Sequence, residues 1–305
     1  MAKICVIGSL NMDLCVSTPR VPVMGETILG GGFFTCPGGK GANQAVAAAK
    51  LGAEVTMIGR VGGDAFGAQL TANLQANGVN TAHIRVVEET PTGIAVILLH
   101  NGDNCIIVDP GANAVLTPGD IAALEPVIAA SDILVLQLEI PLAAVRKAME
   151  TARAHGVRVL LNPAPAQKLP ADFLALADIL TPNESECEIL TGLPCGSPEE
   201  MATGAQALLN IGIPQVLVTL GGDGVLYNGK DGMVRKPAKS IKVVDTTAAG
   251  DSFTGALAVS LAGGADFDAA VDFALAVAGL TVARKGAQES LPALEEVLAF
   301  IDDEK

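Results

Sequence analysis

The run Asp245-Thr246-Thr247-Ala248-Ala249-Gly250-Asp251 sets small residues between two carboxylates at the start of a helical pattern, Ser252 to Leu261. A short β-like run, Ile241 to Val244, precedes it. Small side chains at Ala248, Ala249 and Gly250 let backbone amides approach a ligand. At a helix N-terminus those amides and the helix dipole favour an anion. Asp251 enters the first turn, where a second negative charge repels such an anion. Accepting a proton from an attacking hydroxyl gives it a purpose there. The structural alternative is an acidic residue capping an ordinary helix.

A second candidate is Gly38-Gly39-Lys40-Gly41-Ala42-Asn43-Gln44, ahead of a helix that runs to Leu51 and stops at Gly52. It fails the GxxxxGK[ST] test for a phosphate loop. The glycines read as a backbone pocket for a polar ligand, with Lys40 and Asn43 as donors, or as a tight turn carrying a solvated lysine. Gly221-Gly222-Asp223-Gly224 is a weaker nucleotide-loop signal, because Tyr227 takes the last glycine position of GxGxxG. Asn11, Asp13, Gln137 and Glu139 follow apolar strands, at the edge where open α/β sheets bind ligands.

The elements that must position these residues alternate strand and helix. Strands are expected at Ile4–Ile7, Val55–Ile58, Ile133–Leu138, Val157–Leu161, Asp178–Leu180 and Val216–Leu220. Helices are expected after Gly62-Gly63-Asp64, from Thr117-Pro118, and over 142–155, 252–262, 268–284 and 293–302; another opens at Pro182-Asn183-Glu184-Ser185-Glu186. Two β-only excursions, about 12–36 and 92–109, break the alternation, the second as a hairpin around Asn101-Gly102. Each is too small to fold alone, so together they form a lid on one domain spanning 1–305.

Composition narrows the function. The 305 residues are half hydrophobic, lack Trp and carry a formal charge of −14. That charge argues against nucleic acid and anionic membrane surfaces as partners. No membrane-spanning run or signal-peptide pattern is seen, and six cysteines without CxxC or metal-ligand spacing suit reduced thiols in the cytoplasm. The three histidines are isolated, which speaks against zinc. A nucleotide-binding dehydrogenase would share the βα pattern, but no GxGxxG follows the first strand.

The Gly38–Gln44 motif and the Asp245–Asp251 run, the latter continuing as Ser252-Phe253-Thr254-Gly255, resemble those of the ribokinase family of sugar and nucleoside kinases. Asn162-Pro163-Ala164-Pro165-Ala166, Thr181-Pro182-Asn183-Glu184 and Arg284-Lys285-Gly286-Ala287-Gln288 resemble further family segments in the same order. The resemblance implies a three-layer α/β/α sandwich whose β-sheet lid also forms a homodimer interface. It implies ATP-dependent phosphorylation of a pentose, D-ribose to D-ribose 5-phosphate, with 2-deoxyribose, another sugar or a nucleoside as alternatives. A sugar-binding sensor without catalysis is more remote. Asp251 would be the general base and the amides of Ala248, Ala249 and Gly250 the anion hole. Asn11, Asp13, Gly39, Lys40, Asn43 and Glu139 match sugar-binding positions. Asn183, Thr219, Leu220, Gly221, Gly222, Asp223, Gly224 and Gly250 match nucleotide positions. Glu186 matches a position linked to Mg²⁺. Asp245, Thr247, Thr281, Arg284, Gly286 and Ser290 match a loop for a monovalent cation such as K⁺. Leu275 departs from the family, which tends to have His or Asn there near the adenine.

Overall fold

The computed structural model describes residues 1–101 and 103–303. Strands β1 (Lys3–Ile7), β2 (Asn11–Ser17) and β3 (Gly31–Gly38) precede α1 (Lys40–Lys50), β4 (Glu54–Gly62), α2 (Ala65–Ala76) and β5 (Asn80–Val87). Strands β6 (Gly93–His100) and β7 (Asp103–Asp109) lead to α3 (Pro118–Ala123), α4 (Glu125–Ala129), β8 (Ile133–Leu136) and α5 (Leu142–Ala154). Next come β9 (Arg158–Leu161), α6 (Ala171–Leu174), β10 (Ile179–Leu180), α7 (Glu184–Thr191) and α8 (Pro198–Asn210). Strands β11 (Gln215–Thr219), β12 (Val225–Gly229) and β13 (Gly232–Lys236) precede α9 (Ala249–Ala262), α10 (Phe267–Val282) and α11 (Leu294–Asp303).

Nine strands form the main sheet, in the order β13-β12-β11-β10-β9-β8-β1-β4-β5. From β11 to β5 every pairing is parallel, and β12 and β13 add an antiparallel edge. Parallel strands covered on both faces must be apolar throughout, which explains the near-continuous hydrophobic runs. Successive side chains divide between the faces. Ile4 and Val6 join one core with residues of α1, α2, α9, α10 and α11. Cys5 and Ile7 join the other with residues of α3, α5, α6, α7 and α8. The result is the expected α/β/α sandwich. Among the described residues no helix is long and apolar enough to cross a membrane.

The chain builds outward from β1 to β4 and β5, then returns to β8 on the other side of β1. The connections after β1 and β8 therefore diverge, leaving a crevice at their C-terminal ends, where such sheets bind ligands. Over this edge lies a four-stranded sheet, β3-β2-β6-β7, made from the two β excursions. Its inner pair, β2 and β6, is parallel, with Asp13 opposite Ala95 and Cys15 opposite Ile97. Asp64 ties this sheet to the main layer. Its carboxylate caps α2 through Gly67 N (2.8 Å) and accepts from Thr92 N (2.8 Å) and Thr92 Oγ1 (2.7 Å), just before β6.

Several elements depart from the sequence reading. Ile241–Val244 is not a strand: Val244 N donates to Val282 O at the end of α10 (2.7 Å), and Val243 and Val244 stay exposed. Their β-branched side chains give a strand-like pattern, but no neighbouring strand pairs with the segment. Conversely, β5 extends the main sheet where a break in the alternation is expected. As an edge strand it has no fully buried residue and mixes four polar with four apolar residues, so its apolar signal is weak. Helix α8 and the β12–β13 hairpin also fall between the recognised segments. Helix α9 begins at Ala249, three residues before the helical pattern. In the hairpin turn Asn101 has φ 50°, while Gly102 lies outside the described residues.

Candidate active site

The site forms where α1, α7 and α9 begin and where β1, β8, β9, β10 and β11 end. A cavity of about 230 Å³ is lined by Lys40, Asn183, Glu186, Thr219, Ala248, Ala249, Gly250 and Asp251. Eight residues picked out along 212 positions of sequence (Lys40 to Asp251) therefore meet in one space. Asn162, Ala164, Thr181, Thr246 and Thr254 complete the lining, although the sequence reading assigns them no individual role. Asn162 and Thr181 directly follow β9 and β10, so the strand-end rule applied to those strands finds them.

Helix α9 enters through Ala248, which has left-handed φ 60°, ψ 10° and no side-chain cap. For a residue with a Cβ this conformation is disfavoured by about 1–2 kcal/mol, the kind of strain retained where a functional loop is over-determined by its surroundings. The Ala249 amide turns back to Thr246 O at 3.2 Å. Gly250 lines the cavity, and a Cβ there would meet nothing beyond its own helix within 4 Å. Asp251 is the third helical residue and is buried. Its Oδ2 accepts from Asn43 Nδ2 and its Oδ1 from Gln44 Nε2, both at 2.9 Å. Asn43 is fixed in turn by Gln288 Nε2, which donates to its Oδ1 at 3.1 Å.

The glycines of the second motif serve chain packing more than ligand clearance. A Cβ on Gly39, at φ 88°, would lie 2.7 Å from Asn11 N, and one on Gly41 would lie 2.6 Å from Ser9 N. The start of α1 is thus pressed against the β1–β2 connection. There Glu139 Oε2 accepts from Lys40 N (3.1 Å) and Ser9 Oγ (2.5 Å). Asn11 Oδ1 accepts from Asn113 Nδ2 at 2.8 Å. The Asp13 carboxyl packs against Gly38, where a Cβ would fall 2.6 Å from its Cγ.

Charge is crowded here. Burial pulls the Lys40 ammonium down, but the negative charges of Asp251, Glu139, Glu186 and Asp13 outweigh it and hold Lys40 above its ordinary value. Asp13 is pushed up to about 7 by burial, then by Glu139 and Asp251, with Lys40 opposing. Burial also raises Glu186, against the amide of Asn183, which donates to its Oε2 at 2.8 Å. Asn183 and Glu186 form a reciprocal capping box on α7, so the Asn-x-x-Glu pattern has a structural role as well as a place in the cavity.

The remaining predicted residues fall elsewhere. Leu220 is buried in the core, and Gly221, Gly222 and Asp223 form an exposed turn outside the cavity lining, with Asp223 paired to Arg235 at 2.9 Å. Gly224, at φ 96°, packs against the backbone of 236–238. Leu275 is buried among core residues. Asp245 gathers the proposed cation loop: its Oδ1 accepts from Thr247 N (2.9 Å) and Thr247 Oγ1 (2.6 Å), and its Oδ2 from Gly286 N (3.0 Å). Thr281 and Ser290 are buried and bonded to nearby carbonyls, and the Arg284 guanidinium pairs with Glu296 at 2.6 Å.

Asp13 gives the site a pH signature. A carboxyl whose folded pKa is raised contributes stability at low pH that is lost as pH rises through the folded value. Asp13→Asn should therefore stabilise the free protein at pH 8 by up to about 4 kcal/mol. The gain should shrink toward zero below about pH 4. Denaturant titrations of both proteins across this range test it; a pH-independent difference would contradict the burial of this charge.

Comparison with known proteins places this geometry in a family. The pfkB family carbohydrate kinase model matches residues 1–294. A ribokinase of Bacillus subtilis is 44% identical over 298 residues, covering 97% of this chain and 98% of that protein. A deoxyribokinase of Salmonella typhi is 40% identical over 300 residues, with 98% of each covered. The structure of Arabidopsis thaliana ribokinase complexed with ribose and ATP superposes with a TM-score of 0.91 at 35% identity, covering 99% of both chains. Sequence and fold agree along nearly the whole length, and the chain belongs to the pfkB family of carbohydrate kinases.

Proposed function

We propose that the protein catalyses ATP-dependent phosphorylation of D-ribose to D-ribose 5-phosphate, as the name of its Bacillus subtilis relative suggests. The observation that carries this reading is Asp251, buried at the start of α9, bordering the cavity and held through both oxygens by neutral amides. Its carboxylate takes the proton of the attacking hydroxyl. That oxygen bonds to the terminal phosphorus of ATP, and the bond from phosphorus to the departing ADP oxygen breaks. Charge on the transferring group is met by the N-terminal end of α9, with Gly250 and its neighbours Ala248 and Ala249 as amide donors, Ala249 by sharing the N–H it gives Thr246 O. Phosphoryl transfer depends mainly on such positioning and charge stabilisation.

Asn11, Asp13, Gly39, Lys40, Asn43 and Glu139 hold the sugar. Asn183 and the 219–224 segment hold the nucleotide, with Thr219 at the cavity wall. Among the described residues no three His, Cys, Asp or Glu groups could jointly hold a metal. A single carboxylate, Glu186, suits Mg²⁺ that is bound chiefly by phosphate oxygens and water. The ion would neutralise charge on the nucleotide. In the 245–247 and 281–290 segments, both Asp245 oxygens are engaged by backbone or hydroxyl donors. The side chain thus orders the loop, and backbone carbonyls would supply the hard oxygens that K⁺ requires. Activity should rise when K⁺ replaces a large inert cation at constant ionic strength; a flat response would remove the ion from the scheme.

Asp251→Asn is nearly isosteric and should lower kcat by roughly 10²–10⁴ with folding intact. For the sugar, hydrogen bonds to charged groups are worth about 1.5–3 kcal/mol each. A missing hydroxyl leaves a buried partner unpaired, so kcat/KM for D-ribose should exceed that for 2-deoxy-D-ribose by at least about tenfold. Similarity to a deoxyribokinase makes that sugar the relevant competitor. Equal or better turnover of 2-deoxyribose would reassign the substrate and leave the kinase standing.

The four-stranded sheet acts as a lid on the one domain and as a homodimer surface. Support comes from apolar side chains left exposed on its outer strands: Phe33 (66%), Phe34 (48%), Ile106 (50%), Ile107 (64%) and Val108 (44%). Ile94, Val96 and Leu98 of β6 are only partly exposed. A patch of this kind on an open sheet calls for a partner. Sedimentation at micromolar concentration should give a dimer, and Ile107→Asp should shift it to monomer. A strict monomer for the unmodified protein would refute the interface.

A further inference from the structure

We propose that Gln44 is a positioning residue for Asp251, a role that rests on Asp251 being the general base. Gln44 lies on α1, 1% exposed, behind the carboxylate and outside the cavity lining. Its Nε2 donates to Asp251 Oδ1 (2.9 Å) and to Asn162 Oδ1 (3.2 Å), while its Oε1 accepts from Gln137 Nε2 (2.5 Å). Both ends of the amide are therefore engaged, and rotating it would break bonds on each side. Asn162 is itself anchored, donating from Nδ2 to Thr181 O at 3.0 Å.

Gln137 is the outer stop of this arrangement. It is fully buried just past β8, and its Oε1 has no hydrogen-bond partner among the described residues. That oxygen packs over Gly8, where a Cβ would overlap it. Gly8 thus leaves room for Gln137, Gln137 orients Gln44, and Gln44 orients Asp251. An amide donor suits the task. It steadies the charged carboxylate through a hydrogen bond, whereas a cation at that place would also bind the proton-accepting charge. Asn43, the other donor, is a proposed sugar contact; Gln44 bonds only to Asp251, Asn162 and Gln137 and is assigned no ligand.

Gln44→Met preserves volume and removes both polar ends. It should lower kcat about ten- to a hundredfold, the effect of a small misplacement of a reacting group. KM for ATP should stay within about twofold, and the acid limb of the pH–kcat profile should move to higher pH because the charged carboxylate has lost a donor. Gln44→Glu sets a second carboxyl beside Asp251 and should move that limb further in the same direction. Gln137 reaches Asp251 only through Gln44, so Gln137→Met should lower kcat in the parent but change it less than twofold in the Gln44→Met background.

Unchanged kcat and pH profile in folded Gln44→Met, or fully additive effects of the two substitutions, would overturn the proposal. Should Gln44→Met fail to fold, Gln137→Met alone decides: a lowered kcat with a shifted acid limb supports it, and a parental profile refutes it. If Asp251→Asn keeps near-normal kcat, the base assignment fails and this proposal falls with it. If Asp251→Asn is inactive while Gln44→Met is parental, only the role of Gln44 fails.

Discussion

Lys40 stands half-buried among Asp13, Glu139, Glu186 and Asp251, and the charge balance around it governs the rest of the site. Four carboxylates converging on a cleft repel each other and any anionic ligand. Without a cation among them, some would be protonated or the cleft would open. The five groups come from β2, α1, the connection after β8, α7 and α9. Holding the cluster therefore requires both sheets and three helix starts to be in place together. One ammonium does not balance four carboxylates: Asp13 is raised to about 7 and Glu186 is also raised, whereas Lys40 is held charged.

The fold meets that demand with close backbone contacts. Lys40 reaches the cluster because α1 begins directly on the β1–β2 connection, and this approach needs Gly39 and Gly41 to lack side chains. Asp251 reaches it because Ala248 bends the chain sharply into α9. Further support comes from Lys50 at the far end of α1, whose Nζ donates to Gln288 O (3.1 Å) and Leu291 O (2.9 Å). The helix that carries Lys40, Asn43 and Gln44 is thus fastened to the segment that carries Gln288.

What the sequence makes legible follows from which physical signals are local. Buried parallel strands declare themselves as apolar runs, and capped helix starts such as Asn183–Glu186 by residue type and spacing. The edge strand β5 does not, because none of its residues is fully buried and polar side chains interrupt the apolar ones. Ile241–Val244 misleads in the opposite sense, since side-chain branching is local and strand pairing is not. At the site, residue types identify Asp251 and Lys40. The bonds from Gln44 to Asp251 and from Gln137 to Gln44 join positions 207 and 93 residues apart and leave no trace in spacing. Gly8, Gly39 and Gly41 are visible as glycines, but the atoms they make room for emerge only in three dimensions.

The raised Asp13 carboxyl has a thermodynamic corollary. A site with a carboxyl raised to about 7 is a mixture of two charge states at neutrality. A neutral ligand that favours either state must take up or release a fraction of a proton as it enters. Ligand affinity is then tied to proton activity although the ligand itself does not titrate. The heat of binding acquires a contribution from the ionisation of the buffer, so its dependence on buffer identity reports the protonation of one buried side chain.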